Sequence, residues 1–317
     1  MAQAIHPPRV LVLLAAFNGM EYLPTQLASI LSQQQAVAVQ VVLSIDRSSD
    51  GTEAWAAELA QRDARVSVLP GGQVFGGAAP NFFRLLRDVD MAGFDYVALA
   101  DQDDLWHPDK LARACQQLQL TGAAGYSGNV TAFWPGGQER LIDKAQPQQP
   151  WDFLFESPGP GCTFVLAQPL ALALQTWVRQ QGQALQPVDF HDWLIYAWAR
   201  AQGHQWLIDA QPYMRYRQHA SNQMGANTGM RPLLQRAWRM GNGWWLGQAS
   251  LIARLLQLQG HPFVAPWLQG QRWGLMRLAL RAGQCRRRRR DQLLFLLSCL
   301  WMTFFLPGRG RLVCPLA

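Results

Sequence analysis

The feature that most constrains this chain is the stretch Tyr96-Val97-Ala98-Leu99-Ala100-Asp101-Gln102-Asp103-Asp104-Leu105-Trp106-His107-Pro108-Asp109. An apolar run stops abruptly at a cluster of carboxylates, and a proline follows shortly after. The run reads as a buried strand whose polar end lies at the edge of a sheet. Carboxylates this crowded repel one another unless a cation neutralises them, and hard divalent cations prefer oxygen ligands. An Asp-x-Asp at a strand end therefore points to a metal that also carries a phosphate. The same residues also read as an acidic turn before a helix starting near Pro108, with Asp104 as its cap.

The flanking sequence decides what kind of sheet holds that strand. Val10 to Phe17 and Val39 to Ile45 are apolar on both faces, as central parallel strands are. Leu23, Leu27, Ile30 and Leu31 recur at helical spacing after the Asn18-Gly19 turn. Asp46-Arg47-Ser48-Ser49-Asp50-Gly51-Thr52 leads into a helix over about 52–62, and Val66 to Leu69 gives a third short strand. This alternation predicts a mostly parallel, doubly wound α/β sheet. Ligands bind such sheets beyond the carboxyl ends of the strands, where Asp46 and Asp101–Asp104 both fall. A glycine-rich stretch over 71–81 precedes a helix beginning at Phe82. It fits neither dinucleotide nor P-loop spacing and reads equally as a phosphate cradle or a flexible connection. Ala124 to Phe133 reads as one further strand, and 146–150 as a surface loop.

Composition matters chiefly through its asymmetry. The chain has 317 residues, 49% hydrophobic and 15% charged, with 14 tryptophans and a net charge of +7. A full core can be buried and general disorder is excluded. Nearly all of the basicity sits at one end. Residues 1–230 carry more acids than bases, whereas 231–317 hold 14 arginines against the single acid Asp291. This predicts an acidic catalytic domain over 1–230 and a basic, tryptophan-rich extension over 231–317. Five scattered cysteines, without C-x-x-C spacing, argue against a zinc site or a disulfide framework and fit a reducing cytosol. Met1 to Arg9 lacks the basic region of a signal peptide.

At this point the motifs amount to a resemblance. Ala16-Phe17-Asn18-Gly19 with Tyr22-Leu23, Ser44-Ile45-Asp46-Arg47-Ser48-Ser49-Asp50-Gly51, and Asp101-Gln102-Asp103-Asp104-Leu105-Trp106 with Pro108-Asp109-Lys110-Leu111 resemble successive motifs of family 2 glycosyltransferases of the GT-A fold. Gly161-Cys162-Thr163, His191-Asp192-Trp193 and Tyr216-Arg217-Gln218-His219 with Asn222 and Gly225 resemble later motifs of its rhamnosyltransferase-like branch. The likeness spans roughly 10–225, in the family's order. It departs at Ile45, where an acid is common, and at Arg47, where glycine is.

The resemblance implies an inverting, metal-dependent sugar transfer from a nucleotide donor, with dTDP-rhamnose as the leading donor and another UDP-, GDP- or dTDP-hexose as the alternative. It implies a divalent metal, Mg2+ or Mn2+, on Asp103 and Asp101. It also implies donor contacts from Asn18, Asp46, Asn81, Asp101, Gln218 and His219. Asp192, at the start of a predicted helix, would take the acceptor's proton. Gly161, Cys162, His191 and Trp193 would line the acceptor, an oligosaccharide on a lipid carrier such as an O-antigen or capsule repeat. The rivals are a nucleotidyltransferase, for which no lysine-rich triphosphate loop is present, and a non-catalytic glycan-binding module, which Ile45 and Arg47 keep open.

In the extension, Arg286–Arg290 precede an apolar segment ending at Leu306. The segment is too short for the roughly 20 residues that span a bilayer. Basic residues beside an apolar, tryptophan-bearing helix predict an interfacial helix over 291–306, lying on an anionic membrane surface, with the protein peripheral on the cytoplasmic face of the inner membrane. The alternative is a helix buried against the catalytic domain or a partner copy. Nucleic acid is not expected as a partner. The oligomeric state is left open.

Overall fold

The computed structural model describes residues 6–33, 37–219 and 243–305, with only the backbone of Phe305. The chain divides into two compact units, Met1–Ala145 with Pro158–Gly225, and Gln146–Ser157 with Ala226–Ala317. Gln146–Ser157 thus groups with the second unit, although the sequence runs the first domain straight through it.

The first unit begins with β1 (Arg9–Ala16), α1 (Leu23–Leu31), β2 (Ala38–Ile45), α2 (Thr52–Arg62), β3 (Val66–Val68), α3 (Ala78–Asp88) and β4 (Tyr96–Ala100). It continues with β5 (Leu105–Trp106), α4 (Lys110–Thr121), β6 (Gly125–Gly128), β7 (Val130–Phe133) and β8 (Glu139–Ile142). After the excursion into the second unit come β9 (Val165–Ala167), α5 (Gln168–Gln181), α6 (His191–Ala201), β10 (Trp206–Asp209) and β11 (Met214–Arg217).

Seven strands form the main sheet in the order β10-β6-β9-β4-β1-β2-β3. β1 runs parallel to β2 and β4, with Ala16 beside Ile45 and Leu14 beside Ala100, so the loops that follow these strands emerge at one edge. β4 is buried over its whole length, as its unbroken apolar run requires. β9 alone runs antiparallel to both its neighbours.

A second sheet, β5-β11-β7-β8, takes the residues after the acidic cluster. The single strand expected over Ala124–Phe133 is therefore two strands in two sheets. Asn129 makes the crossing: its N–H donates to the Asp209 carbonyl at 2.9 Å, and its Nδ2 donates to the Ala210 carbonyl (2.9 Å) and to Asp143 Oδ1 (3.0 Å). Those bonds satisfy the backbone and side chain at the break, where the ladder is lost.

The second unit is helical: α7 (Trp244–Leu255), α8 (Ala265–Leu268), α9 (Arg272–Leu280), α10 (Ala282–Cys285) and α11 (Arg289–Phe305). Phe155 stands at its centre, with ring centroids 5.5 Å from Trp245, 5.5 Å from Trp267 and 5.1 Å from Phe295. The Arg287 side chain is fully buried, 3.0 Å from Asp152 and 3.4 Å from Glu156. Arg286 donates to the Phe155 carbonyl at 2.7 Å. Two members of the arginine run expected at a membrane, the buried Arg287 and the half-buried Arg286, thus anchor 146–157.

Candidate active site

The loops after β1, β2 and β4 are laced together by polar bonds. Gln102, the middle residue of the acidic motif, uses its amide as a two-way bridge. Phe17 N–H donates to its Oε1 at 2.7 Å, and its Nε2 donates to the Phe17 carbonyl at 2.9 Å. Gly19 lies against the same amide, where a Cβ would collide with Gln102 Oε1. Asn18 holds a left-handed φ of 45°. Its N–H donates to Ser48 Oγ (3.0 Å) and its Oδ1 accepts the Ser49 N–H (2.8 Å), so it braces the β1 loop to the β2 loop. This fixed turn leaves the Phe17 ring 53% exposed at the carboxyl end of β1.

Asp46 is buried, and its two oxygens accept the N–H groups of Phe75 and Gly76, both at 2.9 Å. The aspartate therefore fastens the glycine-rich stretch beside the carboxyl end of β2. α3 starts at Ala78, four residues before the position expected.

The acids occupy the loop between β4 and β5. Burial, then the charge of Asp103, pushes the Asp101 carboxyl up to about 7; the charge of Asp192 acts in the same direction. Burial and the neighbouring Asp103 and Asp101 also hold Asp104 well above the ordinary carboxylate range. Asp104 is not a helix cap: α4 starts at Lys110 with Asp109 before it. Instead Asp104 Oδ1 accepts the Arg217 N–H at 3.1 Å, while its buried Oδ2 has no hydrogen-bond partner. Burial, then the charges of Asp104 and Asp101, push the Cys162 thiol far up.

The end of β11 closes over these acids. Arg217 Nε donates to the Asp103 carbonyl at 2.8 Å. His219 Nε2 lies 2.6 Å from Asp103 Oδ2. The Tyr22 ring stacks on the His219 imidazole at 5.3 Å, and the Arg217 guanidinium lies over Tyr22 at 4.6 Å. Two sheets and the start of α1 thus fix the orientation of one carboxylate.

This donor set fits a hard divalent cation. Ligand atoms of Asp101, Asp104 and Cys162 lie within 4.8 Å of one another, with the Asp103 carboxylate in the same short loop. A cation would offset the burial and the carboxylate repulsion that raise Asp101, and would give the orphaned Asp104 oxygen a partner. The protonated thiol adds nothing for such an ion.

Several expected contact residues are interior. Asn81 is buried inside α3 and is not its cap: its Nδ2 donates to the Ser44 carbonyl at 3.0 Å and its Oδ1 accepts the Ser44 hydroxyl. Gln218 is buried as well, its N–H donating to the Phe133 carbonyl at 2.9 Å and its amide to the Arg217 carbonyl at 3.1 Å. Gly161, Cys162, His191 and Trp193 are all buried. His191 stacks on Phe82 at 3.9 Å, and burial lowers its pKa to about 3. A Cβ at Gly161 would collide with that imidazole, which is why glycine stands there. Asp192 sits in the first turn of α6, its Oδ1 accepting the Trp193 N–H at 2.7 Å. Asn222 and Gly225 lie outside the described residues.

Sequence reasoning passed over Phe17, Tyr22, Gln102 and Arg217 as site-builders. The available signals were an aromatic at the end of a central strand and an amide set between carboxylates.

A mostly parallel sheet with carboxylates beyond the ends of its central strands, backed by a small second sheet, is the GT-A glycosyltransferase architecture. Solved structures agree. The S. aureus TarS fragment 1-349 in complex with UDP matches with a TM-score of 0.53 at 12% identity, covering 93% of this chain and 89% of that one. The mannosyltransferase PcManGT from Pyrobaculum calidifontis, in complex with GDP-Man and Mn2+, matches at 0.50 and 16% identity, covering 94% and 86%. Residues 7–135 match the family described as glycosyltransferase like family 2. The dTDP-rhamnosyl transferase RfbG of Shigella flexneri is 35% identical over 292 residues, 92% of this chain and 100% of that protein. The succinoglycan biosynthesis protein ExoO of Rhizobium meliloti is 29% identical over 140 residues, 44% of this chain and 38% of that protein. The chain belongs to the family 2 glycosyltransferases.

Proposed function

We propose that this glycosyltransferase moves L-rhamnose from dTDP-rhamnose, with inversion, to a growing glycan on a lipid carrier. The full-length likeness to a protein named as a dTDP-rhamnosyl transferase supports the donor. The likeness to a protein named for succinoglycan biosynthesis supports a glycan acceptor. The observation that carries the reading is the lacing of three strand-end loops around Asp101, Asp103 and Asp104.

In this reading Phe17 offers an exposed ring at the carboxyl end of β1 to the donor's base. Asp46 secures the backbone of the glycine-rich stretch beside it. Asp101 and Asp103 would hold the divalent cation, which would supply Lewis acidity to the departing diphosphate. His219, backed by Tyr22, would fix the orientation of the Asp103 carboxylate, as an outer partner does for a metal ligand. Asp192 accepts the proton of the acceptor hydroxyl as the oxygen attacks the anomeric carbon from the face opposite the leaving group. The bond from anomeric carbon to phosphate oxygen breaks as the new glycosidic bond forms, and the nucleoside diphosphate leaves.

The test is thermal stabilisation of the full chain against dTDP-rhamnose, UDP-glucose, UDP-GlcNAc and GDP-mannose, each with and without Mn2+. A ligand that binds only the folded state raises its stability in proportion to the logarithm of its concentration over Kd. The expected result is a large, metal-dependent shift for dTDP-rhamnose. The same shift with a different nucleotide sugar replaces the donor. No shift with any of them overturns the proposed transfer mechanism.

A further inference from the structure

The second unit carries a surface that the transfer reaction does not use. α11 is apolar on two sides. With about 100° between successive residues, Phe295, Cys299, Met302 and Thr303 fall on one side and are buried, Phe295 against Phe155 and Trp245. Leu293, Leu294, Leu297, Trp301 and Phe304 fall together within an arc of about 100° on the other side, and all five are exposed, Phe304 by 64%.

α9, which packs against α11, repeats the pattern. Its Gly274, Leu275, Leu278 and Ala279 are buried. Its exposed side carries Trp273 (55% exposed), Met276 and Leu280 (80% exposed), with the exposed Arg272 and Arg277 to either side of that stripe. Eight large apolar side chains left open on two adjacent helices exceed the scattering normal for a surface.

The charge around them narrows the occupant. From Arg272 to Phe304 there are eight arginines and the single acid Asp291. Arg286 and Arg287 are taken up by Glu156 and Asp152, Arg281 and Arg288 are half-buried, and Arg272, Arg277, Arg289 and Arg290 are exposed, Arg290 beside Asp291 at 3.4 Å. Among the described residues, no helix is long and apolar enough to cross a membrane. α11 is also held by protein along its buried side, so it does not sit in lipid all round. We propose that the exposed faces of α9 and α11 form a docking surface for an anionic phospholipid bilayer. The leucines and tryptophans enter the headgroup boundary while the four arginines meet lipid phosphates. A second copy meeting this face through its own α9 and α11 offers no such complement, since it brings the same arginines. The proposal is independent of which donor the first unit takes.

The experiment is co-sedimentation of the full chain with vesicles of phosphatidylcholine alone, and of equal parts phosphatidylcholine and phosphatidylglycerol. The unmodified protein is expected to bind the anionic vesicles and to bind the neutral ones far more weakly. Leu293→Gln with Leu297→Gln should lower binding to anionic vesicles at least about tenfold. Arg272→Gln with Arg277→Gln should lower it by roughly tenfold and flatten its dependence on salt. Leu141→Gln, an exposed leucine of β8 in the first unit, should change nothing. Circular dichroism checks the fold of each variant; should the leucine pair not fold, the arginine pair decides. Equal binding to neutral and anionic vesicles overturns the proposal. So does unchanged binding by the folded variants, including the case where light scattering shows that the leucine pair splits a dimer instead.

Discussion

His219 Nε2 lies 2.6 Å from Asp103 Oδ2, with the Tyr22 ring stacked behind the imidazole. This contact joins the last strand of the small sheet to the acidic loop of the large one. It separates a residue that would hold a cation from a residue that orients it. Asp103→Asn should abolish metal-dependent binding of dTDP-rhamnose. His219→Ala should weaken it by about tenfold to a hundredfold, the range for an outer partner. Calorimetric titration with and without Mn2+ checks both.

Asp192 is assigned the acceptor's proton alone. Asp192→Asn should leave donor affinity within about twofold while lowering the transfer rate by about a hundredfold to ten-thousandfold. Single-turnover assays alongside donor titration make the comparison. Transfer at the unmodified rate ends the assignment.

Phe17 owes its exposure to a turn that Gln102 and Asn18 hold rigid. Stacking of a base on an aromatic ring is worth about 1–3 kcal/mol, so Phe17→Ala should weaken binding of free dTDP about tenfold. Phe17→Tyr should keep it. A loss that spares the nucleotide and falls on the sugar instead places the ring elsewhere.

Burial keeps folded His191 neutral down to about 3, against 6.5 for a free imidazole. Between those values the unfolded chain binds a proton that the folded chain does not. Stability therefore falls on acidification, by about 1.4 kcal/mol for each pH unit below 6.5 at full effect, and this group adds no slope above 6.5. His191→Asn should flatten the acid limb of the melting-temperature profile, whatever its effect near neutrality.

Arg287 is a buried charge shared by two carboxylates. Arg287→Met strands both and should cost the second unit about 3–5 kcal/mol. Chemical denaturation followed by the fluorescence of its tryptophans reads the loss. Asp152→Asn, which keeps the hydrogen-bond acceptor, should cost less.

How much of this was legible depends on where the deciding partner lies. β1, β2, β4 and α2 follow from local pattern, because a strand buried on both faces is written as an unbroken apolar run. The split between β6 and β7 is invisible in the run from Ala124 to Phe133, since its cause is Asn129 reaching Asp209 and Ala210 some eighty residues on. Asn81 and Gln218 look like surface polar groups until their buried carbonyl partners are known. The acids of the β4 loop were readable because charge repulsion needs no tertiary information. The histidine and tyrosine that orient one of them were not, because they come from elements far apart in sequence. Arg286 and Arg287 look identical to Arg289 and Arg290 in a run of five, yet the first two reach Glu156 and Asp152 some 130 residues away, whereas Arg290 meets only its neighbour Asp291.

The excursion of Gln146–Ser157 constrains how this enzyme can be cut, swapped or evolved. Its strand-bearing half is not a continuous piece of gene, for the chain leaves it, lends Asp152, Phe155 and Glu156 to the helical half, and returns. A truncation after Gly225 would carry those three residues along as an orphaned apolar and acidic loop. Any exchange of tails between relatives must therefore trade two separate stretches at once, or the recombinant inherits a lock without its key.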